Sequence, residues 1–189
     1  MSNELMQRTP NTLVAANDIN QFRTSCQAFI EKLNNAPGQE SIDQTPDGKA
    51  NTILISHIEM LLDEYFFGLW ETENFKWAVI ANEIVGSIDL CFYHPVTGIR
   101  MKRTGAASVQ IMVDKGTNPL EVTNKKPNAL DMGFPKLKAE CLKNAANSLG
   151  KMFGRDLNRK KQDVFRPLLK VDTTKQLQDL AKLQHGTNV

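Results

Sequence analysis

Between residues 100 and 155 the chain sets Arg100, Lys102 and Arg103 in one short run and Lys125 and Lys126 in another. Lys136, Lys143 and Lys151 follow along a stretch of helical rhythm, with Arg155 just beyond it. Such residues at such intervals suit the neutralisation of phosphates, which needs positive charge at fixed positions and no base-specific geometry. The stretch LKAECLKNAANSLGKMFG, residues 137–154, shows the pattern. On a helical wheel Leu142, Ala146, Leu149 and Phe153 fall on one stripe, with Lys136, Glu140, Lys143, Asn147 and Lys151 opposite and Gly154 as the expected C-cap. A solvated charged face is the alternative reading of such a helix.

The distribution of charge favours a binding role. Residues 1–97 hold five Lys and Arg against thirteen Asp and Glu, whereas residues 98–170 hold sixteen against six, and the remainder is neutral. The net charge of +2 conceals this split. A basic block that includes strand-like and helix-like segments is the electrostatic footprint of a polyanion site.

Other chemistry finds little support. His57, His94 and His185 stand apart, with no carboxylate pair or cysteine arrangement that would mark a triad or a metal cluster. Cys26, Cys91 and Cys141 are odd in number and widely spaced, against a disulfide framework or a CxxC metal site. GKMFG lacks the first glycine and the Lys-Ser/Thr pair of a phosphate loop. Glu83 and Asp89, if they face one another on adjacent strands, mark the solvent face of a sheet. No cofactor is implied. No apolar run nears the roughly 20 residues of a membrane span, and MSNELMQRTPN lacks a signal peptide's apolar core, so a soluble cytoplasmic protein with no membrane partner is expected.

The elements that must position these cations follow from periodicity. Residues 12–35 suggest an amphipathic helix carrying Ile19, Phe22, Cys26, Phe29, Ile30 and Leu33, broken by NNAPGQESIDQTPDGKAN. Residues 52–67 repeat the helical pattern, and Gly68 ends it. Aromatic and β-branched alternation from Leu69 to Val113, with HPVTG as a turn, predicts an antiparallel β-meander of three or four strands. Residues 114–135 read as a long loop, functional or mobile, and a helix is expected over 136–153. The expected fold is therefore α+β: helix, β-β-β, long loop, helix. Residues 1–48 form an N-terminal helical or irregular segment suited to oligomerisation, 49–160 a core domain, and 161–189 a tail.

Three stretches carry a resemblance. IEMLLDEYFFGLW resembles a helix leading through Phe67 and Gly68 to Trp70 on a first strand. IDLCFYHPVTGIRMKRTGAAS is similar to a central hairpin closing on Thr104, Gly105 and Ala106, and ALDMGFPKLKAECLKNAANSLGKMFGRDL is similar to a signature helix ending on Phe153 and Gly154. In this order, over about residues 50–160, they resemble the Rad-fifty-two superfamily of single-strand annealing proteins, phage recombination proteins among them. The resemblance implies an oligomeric ring or helical filament that holds single-stranded DNA along its backbone and pairs complementary strands without ATP, in recombination and repair. It implies DNA contacts at Lys49, Arg100, Lys102, Arg103, Lys125, Lys126, Lys136, Lys143, Lys151 and Arg155. A phage exonuclease or a host single-stranded DNA-binding protein would be a partner, in the cytoplasm of a bacterial host. Two adjacent basic residues of the family's helix fall here on Asn147 and Ser148, a departure from the pattern. The alternatives are a non-annealing single-stranded DNA-coating protein, and an enzyme or structural oligomer that uses the sheet for assembly.

Overall fold

The computed structural model of the chain describes residues 16–45 and 48–161. Helix α1 spans Ala16–Leu33. The described residues from Phe29 onward form one compact unit, and the first part of α1 lies outside it. Of the apolar residues expected to line the helix, Leu33 is buried and Phe29 half-buried, while Ile30 stays exposed. The tail expected from residue 161 onward lies, apart from Lys161 itself, outside the described residues.

The segment read as a break folds into a small antiparallel hairpin, β1 (Ile42–Gln44) paired with β2 (Asn51–Ile53). Thr45 closes its turn through hydrogen bonds with Ala50. Strands of three residues are too short to show a period of two, which is why the pattern hid them. Helix α2 (Ile55–Phe66) follows and buries Ile58, Leu61, Leu62 and Phe66, positions three and four apart on one face. Phe67 and Gly68 both take left-handed backbone (φ +56° and +68°) and end it.

The meander has three strands, β3 (Trp70–Ile80), β4 (Glu83–Tyr93) and β5 (Arg100–Gln110), antiparallel in the order β3-β4-β5. The Trp70 indole donates to Asp63 Oδ1 (2.7 Å) and ties β3 to α2. Along β4 alternate residues point to opposite faces, so Ile84, Ile88, Leu90 and Phe92 enter the core. Residue pairing slips between Glu73 and Lys76, where Asn74 has φ +52°: a bulge in the edge strand.

Helix α3 runs over Ala129–Asn147, not 136–153. It starts earlier because Gly133 and Pro135, which look like breakers, sit within its first two turns, where Gly133 instead lets Ile84 approach. It stops earlier because the chain turns at Ser148–Gly150; Lys151–Phe153 form a separate 3₁₀ turn that ends at Gly154 (φ +93°). Gly150 lies so close to the Leu33 carbonyl that a Cβ there would come within 2.0 Å of its oxygen. The loop before α3 is correspondingly shorter, and it is braced by the Val113–Lys125 bridge and a 3₁₀ turn at Val122–Asn124.

Helix α3 packs on β4 and β5 with a face of Gly133, Leu137, Cys141, Leu142, Ala145 and Ala146. Contact is closest at Gly105, where a Cβ would lie 2.1 Å from the Cys141 oxygen and 2.3 Å from the Ala145 nitrogen. Small residues on both sides let helix and strand approach, and Asn144 Nδ2 bonds the Ala106 carbonyl (2.8 Å) beside that contact.

Candidate nucleic-acid interface

The alternation of β5 separates the basic run of the hairpin. Arg100, Lys102 and Thr104 share the outer sheet face with Glu71, Glu73, Asp89 and Cys91, whereas Arg103 falls on the face that carries Met101 and Gly105 and packs toward α3. The three cations therefore form no common patch. Arg100 is spanned by Glu71 (3.0 Å) and Glu73 (2.6 Å), and Lys102 lies 3.0 Å from Asp89 Oδ2. Two cations against the three carboxylates of Glu71, Glu73 and Asp89 leave this group without net positive charge, and so with little to attract a phosphate.

Glu83 and Asp89 do not face one another: both belong to β4, and Asp89 is buried (8 % exposed), not on a solvent face as expected. Its carboxylate accepts hydrogen bonds from the Thr104 hydroxyl (2.6 Å), the Asn74 amide (2.9 Å) and Lys102. Those three donors, Thr104 first, hold its pKa well below the ordinary carboxylate range. Glu73 is lowered in the same direction by the Cys91 thiol and Arg100, and burial with Glu73 alongside pushes the Cys91 thiol up. The Asn74 bulge delivers one of Asp89's donors, and no sequence period announces a bulge.

A polar cleft of about 220 Å³ opens between the β1–β2 hairpin and the α3 end with its 3₁₀ turn. Its polar lining is Thr45, Asn51, Thr52, Lys143, Asn144, Asn147 and Asn158, with the Glu140 carboxylate beside Lys143. Asn158 binds the β2 edge as a neighbouring peptide would: Oδ1 accepts the Asn51 N–H (2.7 Å) and Nδ2 donates to the Asn51 carbonyl (2.8 Å). The Asn147 amide, in the orientation that satisfies it, donates to the carbonyls of Lys143 and Phe153 and fixes the α3 end against the 3₁₀ turn. Lys143 Nζ reaches Thr52 Oγ1 (3.0 Å) and Glu140 (2.8 Å), and its side chain is only 16 % exposed. It is a cation positioned across the cleft, not one loose in solvent. One lysine among amide and hydroxyl groups can hold an anionic, hydrogen-bonding chain, with few groups that discriminate one base from another.

The remaining sequence-predicted cations are dispersed. Lys151 lies on the 3₁₀ turn, outside α3 and off the wheel that placed it opposite the core, and pairs with Asp156 (3.5 Å) at 17 % exposure. Arg155 donates through Nε to the Asn147 carbonyl (3.4 Å) and through Nη2 to the Ser148 carbonyl, capping α3. Lys126 and Lys136 are exposed and Lys125 half-buried, on the loop and the first part of α3, and none of them lines the cleft. Lys49 is exposed in the hairpin turn next to Ala50, which does line it. The asparagines of the cleft carry no charge and stand far apart in sequence, at 51, 144, 147 and 158, so they become one surface only once the hairpin folds over α3.

Among the described residues no group of three or more His, Cys, Asp or Glu side chains is arranged to hold a metal ion, and no helix is long and apolar enough to cross a membrane. No protein-family model matches the chain, and no curated protein matches it.

Proposed function

We propose that the chain binds single-stranded DNA and anneals complementary strands without ATP, as a homo-oligomer of the Rad-fifty-two type acting in recombination and repair. The observation that carries this reading is the cleft between the β1–β2 hairpin and α3, where Lys143 is held among six hydroxyl and amide side chains. The order helix, three-stranded meander, loop, helix over α2 to α3 is the order that the resemblance of residues 50–160 implies. In this reading the sugar-phosphate backbone lies along the cleft. Lys143 neutralises a phosphate, and Asn144 and Thr52 supply hydrogen bonds that any sequence can accept. The bases stay outward, free to meet a complement, so pairing needs no bond made or broken in the protein.

The test is a mobility shift with single-stranded against duplex DNA, followed by annealing of two complementary oligonucleotides. Preference for the single strand with faster annealing is the expected result. Binding without annealing would make the chain a coating protein, and no binding would overturn the reading.

A further inference from the structure

A second cavity, of about 310 Å³, lies where the β4–β5 hairpin meets the C-terminal end of α3. Its walls combine Phe29, Phe66, Phe92 and His94 with Arg103 and Arg155. The size falls at the lower end of the range for small-molecule sites, and flat apolar walls with a few convergent polar groups are what such sites require.

The two arginines differ from the cations of the outer sheet face and the cleft. Arg100, Lys102, Lys143 and Lys151 each face a carboxylate, whereas among the described residues no carboxylate lies within ion-pairing distance of Arg103 or Arg155. Arg103 bonds the Lys102 carbonyl (2.9 Å) and Arg155 the carbonyls that end α3. These bonds fix each guanidinium in place and leave most of its N–H donors for a ligand. The rings opposite pack on one another: Phe66 meets Phe92 at 4.6 Å, and Phe29 stands edge-on to His94 at 5.0 Å. His94 Nδ1 accepts the N–H groups of Val96 and Thr97, so the neutral ring carries its proton on Nε2, and burial lowers its pKa.

Consecutive residues line the cleft and the cavity. Asn147 and Gly154 line the cleft, and Ser148 and Arg155, one position on in each case, line the cavity. We propose that this cavity receives one nucleotide of a strand lying in the cleft, its base against the aromatic wall and its phosphate between Arg103 and Arg155. This rests on the single-strand reading above and adds to it a point at which the bound chain is read as a base and not only as a backbone.

The test measures binding of the full chain to oligothymidylate and to an abasic deoxyribose-phosphate oligomer of equal length. Stacking of one base predicts about tenfold tighter binding of oligothymidylate. Phe29→Leu should erase most of that preference, and Arg103→Ala should weaken binding of both oligomers, with Arg103→Lys recovering part of the loss. Equal binding of the two oligomers by the unaltered protein overturns the cavity proposal while leaving single-strand binding intact. Binding of neither overturns the single-strand reading and this proposal with it. The unaltered protein decides both points, so neither depends on a variant that fails to fold.

Discussion

Lys143 was legible in the sequence as a cation opposite an apolar stripe, and the structure adds the partners that give its charge a direction. Glu140 competes for it at 2.8 Å, one turn back on the same helix. Lys143→Ala should weaken single-strand binding and reduce the slope of log affinity against log salt by about 0.7, the contribution of one phosphate contact. Glu140→Gln should act in the opposite direction and tighten binding at low salt. Glu140→Gln should keep its thermal midpoint within the shift expected for about 1 kcal/mol, whereas Lys143→Ala, which also loses the Thr52 bond, should fall by the shift expected for about 1 to 3 kcal/mol. Titrations of the two variants across a salt series check this; equal affinities for both would remove Lys143 from the interface.

Asp89 was not legible, because what makes it special lies in other strands. Its donors come from a bulge in β3 and from positions 102 and 104 of β5, and only pairing brings them together. Its folded pKa is depressed, so its contribution to stability is fully present above the unfolded value of about 3.9 and fades as pH falls below it. Asp89→Asn should therefore lower the melting temperature at neutral pH, and the gap to the unaltered protein should narrow below about pH 4. Melting curves at several pH values measure the gap. A gap independent of pH would show that packing, and not the carboxylate charge, is what the variant loses.

At the scale of elements, the sequence conveyed α2 and the meander well, because α2 spans three turns with a clean apolar face and the strands are eleven residues long. It misled on α3, where Pro135 and Gly133 looked like loop residues and Leu149 and Phe153 looked helical. The latter two are buried by a turn that doubles back after Gly150, so their spacing fits a wheel without belonging to it. The helix–sheet contact allows a sharper test. Gly105→Ala would drive a methyl group into the α3 backbone and should destabilise the fold by about 3 kcal/mol, the upper end of overpacking costs. Gly68→Ala meets nothing within 4 Å and faces only its positive φ, so about 1 kcal/mol is expected. Denaturant unfolding of the two variants should reproduce that order, and a reversed order would mean that α3 can lift from β5 at little cost.

For the molecule as a whole, the division into an acidic first half and a basic second half does not survive folding as two separate faces. Glu71 and Glu73 of β3 meet Arg100 of β5, and Asp89 meets Lys102, so acidic and basic segments neutralise each other on the outer face of one sheet. That face is thereby poor as a phosphate surface. Its other half is shallow and built of small side chains, among them Ala78, Val85, Ser87, Ala106 and Ser108. A neutralised polar patch beside small residues, on a sheet whose β3 and β5 edges lack a further strand among the described residues, suits another protein surface better than a polyanion. The homo-oligomer of the proposed function would use it. Ala106→Glu places a long carboxylate on that surface, away from α3, and should leave the melting temperature nearly unchanged while lowering the mass measured by light scattering. Annealing should fall with the mass, since strand pairing by an oligomer needs several clefts in line, whereas binding of a short oligonucleotide to a single cleft should persist. ATP or a chelator should alter neither quantity. A monomer at micromolar concentration in the unaltered protein, with and without DNA, would remove the oligomer. An unchanged mass in Ala106→Glu would move the interface to another face of the molecule.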